Sequence, residues 1–133
     1  MKYLLDTHTF IWSVLDTKQL SADTRKILKA SPNEILVSTI SFWEISLKTS
    51  IKKYAFTGLE IEKMPSFARE MGFSIATLSE TESSTFHHLP LIESHKDPFD
   101  RMLIWQSICR NAVMLSKDSS FLPYREHGLQ LAW

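Results

Sequence analysis

A chain of 133 residues has the usual size of one domain and can bury about two-thirds of its unfolded surface, so one domain spanning residues 1–133 is expected. Its 44% hydrophobic and 23% charged residues, with only 3 Gly and 5 Pro, exclude a low-complexity chain and argue against long disordered tails. Lys and Arg together number 15, as do Asp and Glu, so no global basic field draws the chain to nucleic acid and any such contact must be local.

The opening run Met1-Lys2-Tyr3-Leu4-Leu5 meets a charge at Asp6. That is far short of a signal-peptide core or of the roughly 20 apolar residues of a membrane span, so a cytoplasmic protein with no membrane partner is expected. Lys2 to Leu5 reads as a buried strand, followed by a helix carrying Phe10, Ile11, Val14 and Leu15 at helical spacing. Ser21 is a natural N-cap for a second helix through Ile27 and Leu28, with Leu20 available to staple it and Ser31-Pro32-Asn33 to break it. Glu34 to Ser38 is a second strand, and Ile40, Trp43, Leu47 and Ile51 predict an amphipathic helix over about Ser41 to Lys53. Leu59 to Met71 continues as a helical pattern ended by Gly72, and Phe73 to Leu78 is a third strand. Ser79 starts a short helix toward His88, and Leu89 to Lys96 is irregular. Asp97 and Pro98 then open an apolar helix running through Cys109. Ala112 to Leu115 is a fourth strand, and Leu129 to Leu131 a short fifth at an edge. The alternation predicts an α/β domain with a mainly parallel central sheet and helices on both faces.

Open parallel sheets bind ligands beyond the carboxyl ends of their strands, and that rule selects acids. Asp6 follows the first strand, Asp118 follows the fourth, and Asp97 and Asp100 open the helix before it. Glu44, next to Trp43, sits at the border of a helix face that packs on the sheet. Carboxylates gathered in one place repel one another unless a cation neutralises them, which suits a hard ion such as Mg²⁺ or Mn²⁺. Each acid also has a bland reading: Asp6 as a cap, Glu44 paired with Lys48 four residues on, Asp97 and Asp100 as cap and first-turn acids, Asp118 as a turn residue.

The sequence offers no nucleophile-elbow Ser and no Gly-rich phosphate loop. The lone Cys109 excludes an intrachain disulfide and a multi-thiolate zinc site, and the five His show no metal-binding spacing. Trp12, Trp43 and Trp105 fall in apolar helical patterns and are expected in the core rather than as stacking surfaces for bases. Trp133 is placed to cover the sheet edge.

Together, Leu4-Leu5-Asp6-Thr7-His8, Trp43-Glu44-Ile45, the run His95 to Ile104 that contains Asp97-Pro98-Phe99-Asp100-Arg101, and Leu115-Ser116-Lys117-Asp118 resemble the PIN-domain family. Within it they are most similar to VapC-like toxins of prokaryotic type II toxin-antitoxin pairs. The resemblance implies a three-layer α/β/α sandwich and a Mg²⁺- or Mn²⁺-dependent endoribonuclease acting on structured RNA such as tRNA or rRNA. Its acidic site would comprise Asp6, Glu44, Asp100 and Asp118, with Asp97 as a further acid or the cap that positions Asp100. Homodimerisation and silencing by a cognate antitoxin follow from the same likeness. Arg101, Lys48 and Lys117 are the candidate phosphate contacts. Two competing readings are a haloacid dehalogenase-type phosphohydrolase with Asp6 as nucleophile, whose motif wants an Asp where His8 stands, and a PIN-like binding module without activity.

Overall fold

The computed structural model describes residues 1–133. Five strands, β1 (Lys2–Leu5), β2 (Glu34–Ser38), β3 (Ser74–Ala76), β4 (Val113–Leu115) and β5 (Gln130–Ala132), form one sheet in the order β3-β2-β1-β4-β5. All four pairings are parallel, with Tyr3 opposite Ile35 on one side and Val113 on the other. The period of two along the strands divides the core. Tyr3, Leu5, Ile35, Val37, Val113 and Leu115 face one layer with Phe10, Ile11 and Ile45. Leu4, Leu36 and Met114 face the other with Leu103, Ile104, Phe121 and Tyr124. The expected three-layer sandwich is therefore present.

Six α-helices cover these faces, and most begin where a side chain can accept a backbone N–H. In α1 (Thr7–Leu15), Asp6 accepts from Thr9 N at 2.7 Å; in α2 (Ala22–Lys29), Ser21 accepts from Thr24 N at 2.9 Å. Ser38 caps α3 (Thr39–Ser50) through Ile40 N, so this helix starts two residues before the predicted Ser41. It also stops before the predicted Lys53: Lys52 takes a left-handed φ of 61°, and the backbone N–H groups of Lys53 and Tyr54 both return to the Lys48 carbonyl, at 2.8 and 3.1 Å.

The single helix predicted over Leu59 to Met71 is a 3₁₀ turn (Ile61–Lys63) leading into α4 (Met64–Glu70). Pro65 explains the break, because it has no N–H and is tolerated only in a helix's first turn. A reciprocal capping box between Ser79 and Glu82 opens α5 (Glu80–Thr85), and Asp97 caps α6 (Pro98–Cys109) through Asp100 N at 2.9 Å. A 3₁₀ helix over Ser119–His127 was not expected from the sequence; it is ended by Gly128, whose φ of 101° places it in the left-handed region open to glycine. The fifth strand is one residue later than predicted and does form the edge, against β4. No helix is long and apolar enough to cross a membrane.

Candidate functional site

The strand order reverses between β1 and β4, so the crevice at their carboxyl ends is the natural ligand site. The turn after β1 is tied to the end of β4: Asp6 N donates to Leu115 O at 3.2 Å and Thr9 Oγ1 to the same carbonyl at 2.8 Å. Asp6 is therefore both the cap of α1 and a buried acid at the switch point. Burial pushes its carboxyl above the usual range, against the pull of bonds from Ser116 and Thr9. Asp118 accepts from Ser120 N and Oγ at 2.9 and 2.7 Å and so caps the final 3₁₀ helix. Asp6 and Asp118 line one cavity of about 450 Å³ with His8, Trp12, Lys117 and Ser119.

A second acidic group lies on α3 and at the start of α6. Thr7 Oγ1 donates to Ser41 Oγ at 3.0 Å, locking α3 beside α1, and Glu44 follows one turn later. Glu44 is only 3% exposed; one of its oxygens holds Lys48 Nζ, and the other is buried with no hydrogen-bond partner. Burial lowers the tendency of Lys48 to hold its proton, yet the hydrogen bond and charge of Glu44 more than offset this and the ammonium is stabilised. Burial also pushes the Asp100 carboxyl up to about 6 despite a bond from His95, and the charges of Asp97 and Glu44 add to the rise. His95 Nε2 lies 3.1 Å from Asp100 Oδ2, and its Nδ1 lies 2.9 Å from the Tyr124 hydroxyl. The two acidic groups adjoin across aromatic rings: the His8 ring is 6.2 Å from that of Tyr54, whose hydroxyl is 3.4 Å from Lys48 Nζ.

The acids are thus brought to one end of the sheet, but as two neighbouring groups, Asp6 with Asp118 and Glu44 with Asp97 and Asp100. No three Asp, Glu, His or Cys side chains form a ready-made cage for an ion. The donor set nonetheless fits Mg²⁺ or Mn²⁺. Mg²⁺ is usually held by one or two carboxylates, waters and substrate phosphate, and Glu44 presents a buried carboxylate oxygen that nothing else satisfies. Asp97 serves as the cap of α6 and, by its charge, as a neighbour that raises Asp100.

Three expectations need correction. Arg101 is no surface phosphate contact: it is 6% exposed and donates to Pro90 O, Leu89 O and the Tyr124 hydroxyl at 3.0–3.2 Å. Arg101→Lys should lower stability by about 2 kcal/mol in chemical denaturation, because the forked donor set is lost inside the protein. A phosphate contact would instead have changed RNA affinity at constant stability. Lys48, also expected to meet phosphate, is spent on Glu44. Trp43 is not in the core but 58% exposed, packed edge-on to Phe99 at 5.0 Å. Lys117 alone among the three basic residues is exposed at the cavity, its Nζ 4.6 Å from the Trp12 ring centre.

His95 opens the run to Ile104 that carries the family resemblance, but nothing in its spacing marks it as the partner of Asp100, and nothing local marks Tyr54 and Tyr124, which position Lys48 and His95.

The sequence profile of the PIN domain matches residues 3–126. No curated protein is similar enough to count as a relative. Among solved structures, the chain resembles one of VapBC2 from Rickettsia felis bound to a DNA fragment from their promoter, with 20% identity, a TM-score of 0.68 and coverage of 99% of this chain and 98% of that one. It resembles DNA-bound VapBC from Salmonella typhimurium at 16% identity and TM-score 0.62, covering 99% and 97%. A domain of a functionally unknown Methanocaldococcus jannaschii protein is similar at 16% identity and TM-score 0.58, covering 99% and 89%.

Proposed function

Because the chain belongs to the PIN domain family, we propose that it is a Mg²⁺- or Mn²⁺-dependent endoribonuclease, the toxin of a type II toxin-antitoxin pair of the VapBC kind. The observation that carries this reading is the unpaired Glu44 carboxylate oxygen, buried beside an Asp100 whose ionisation is already opposed by its surroundings. A buried carboxylate oxygen without a donor is costly, and a cation arriving with the substrate is what would offset that cost.

Asp6, Asp100, Asp118 and Glu44 are the residues that would hold the ion, with Asp97 in support. When bound, the metal would supply positive charge against the phosphodiester and a water that loses its proton more readily. The chain's own residues provide rigidity. Asp6 and Asp97 fix the starts of α1 and α6, and His95, braced by Tyr124, holds Asp100 Oδ2. Lys117 at the cavity rim is the phosphate contact in this reading, a local one as a chain of net charge +0 requires. The substrate is RNA, with tRNA or rRNA favoured. The partners are an antitoxin that covers the acidic groove and a second copy of the chain, acting in the cytoplasm. Two of the similar structures are of VapBC bound to DNA, which supports an antitoxin partner.

Incubating the purified chain with tRNA and rRNA tests the reading. EDTA should reduce cleavage by at least about 100-fold, and Mn²⁺ should restore it. Cleavage indifferent to EDTA would overturn the metal mechanism. Mn²⁺ bound with no RNA cut would favour the catalytically silent module.

A further inference from the structure

The cavity that holds Asp6 and Asp118 adjoins a second one, of about 260 Å³, whose wall shares Lys117, Asp118 and Ser119 with the first. One side of the second cavity is the final 3₁₀ helix. Residues three apart eclipse one another in such a helix, so Ser119, Leu122 and Arg125 form one row along the cavity, while Phe121 and Tyr124 are buried in the core. The other side is the end of β5 with Trp133. Two cations stand free here. Lys117 and Arg125 pair with no carboxylate, whereas Lys48 and Arg110 are spent on Glu44 and Glu82. Asp118, the one acid on the wall, accepts from Ser120 N and Oγ. A line of rings spans both cavities: His8 lies 5.6 Å from Trp12, Trp12 lies 6.1 Å from Trp133, and Lys117 Nζ sits 4.6 Å from the Trp12 ring centre.

Unpaired cations beside aromatic rings suit single-stranded nucleic acid, because the cations meet phosphates and a ring can stack on a base of any identity. In a chain of net charge +0 such contacts have to be local, and these two cations stand next to the acidic cavity. The volume lies just under the roughly 300 Å³ at which small-ligand pockets begin, so it suits one nucleotide of a strand rather than an enclosed metabolite. We propose that this cavity binds the nucleotide next to the scissile phosphate of single-stranded RNA, with Arg125 on its phosphate and Trp133 against its base. The inference rests on the nuclease reading above. It adds the path of the strand, from Asp6 past Lys117 to Arg125, and a preference for unpaired RNA.

Fluorescence anisotropy of the full chain with a dye-tagged, mixed-sequence single-stranded RNA octamer, in EDTA so that no cleavage intervenes, tests this. Arg125→Gln should weaken binding and reduce the slope of log Kd against log salt by about 0.7, the value for one phosphate contact on a single strand. Arg125→Lys keeps the charge and should keep the slope. Trp133→Ala should weaken binding about 10-fold with the slope unchanged, and Trp133→Phe, which keeps a ring, should recover most of the loss. Lys26→Gln, on α2 and lining neither cavity, should change neither quantity. The inference is overturned if the wild type does not bind the octamer, if Arg125→Gln keeps the wild-type slope, or if Trp133→Ala keeps the wild-type affinity. A shift of Trp133→Ala from dimer to monomer in sedimentation also overturns it, since Trp133 would then be a contact between copies. In each of these cases Mn²⁺-dependent cleavage by the wild type leaves the nuclease reading standing. RNA bound with the expected effects but never cut overturns the nuclease reading and leaves the cavity as an RNA site.

Discussion

Asp6→Asn and Asp100→Asn should each lower metal-dependent RNA cleavage by about 10²–10³-fold, the loss expected when a preorganised charge is removed from a reacting centre. Both changes keep shape and hydrogen bonding. Asn is as good an N-cap as Asp, so the 2.7 Å bond from Thr9 N to residue 6 can survive, and an amide oxygen at residue 100 can still meet His95. What disappears is negative charge that burial already makes costly. The folded protein holds both carboxyls above their ordinary value of 3.8, Asp100 at about 6. A raised folded value means that the contribution to stability is full below 3.8 and is lost as pH rises through the folded value. At neutral pH the ionised acids thus weaken the metal-free fold, and the Asn variants, which do not ionise, should melt higher than the wild type. Full cleavage in either variant would remove that acid from the active site. A lower melting temperature would show the carboxylates to be structural.

Much of the architecture was legible because its causes are local. The strands announce themselves by apolar runs, and the caps Asp6, Ser21 and Asp97 by one oxygen-bearing side chain placed before a helical pattern. Where reading failed, the deciding contact was distant or the periodicity was wrong. In α3 the stripe Ile40, Trp43, Leu47 and Ile51 suggests the buried face, yet Trp43 and Ile51 are exposed and the buried set includes Ser41, Glu44 and Ile45. Hydrophobic spacing cannot score a face whose buried members are a serine and a carboxylate held by Thr7 and Lys48. Arg101 reads as a candidate phosphate contact from its place beside Asp100, because its hydroxyl partner, Tyr124, is 23 residues away in the chain. The Ser119–His127 3₁₀ helix has a period of three, and the buried pair Phe121 and Tyr124 is its main local sign. The acids themselves were identifiable by position relative to the strands, but their division into two groups depends on how α3 and α6 meet.

The largest stability effect should come from a carboxylate that is not among the proposed site residues. Glu82 closes the capping box of α5, accepts from Gln106 Nε2 at 3.2 Å, and is gripped by Arg110 through Nε at 2.7 Å and Nη2 at 3.0 Å. Gln106 in turn accepts from Ser38 Oγ, and Arg110 also donates to Thr77 O, so one buried carboxylate joins the ends of β2 and β3 to α5 and α6. Burial alone would raise the Glu82 carboxyl, but these donors hold it at about 2, below its ordinary 4.5. A lowered folded value means stability that is present above pH 4.5 and lost as pH falls through about 2. Glu82→Gln should therefore cost about 2–3 kcal/mol at pH 7, leaving Arg110 without its counter-charge, and lower the melting point by roughly 3–5 °C per kcal/mol. At pH 3 the unfolded wild-type chain has taken up the proton, so the gap between wild type and variant should shrink by more than half. A gap independent of pH would mean that Glu82 acts through packing and capping, and that the ionic grip of Arg110 contributes little.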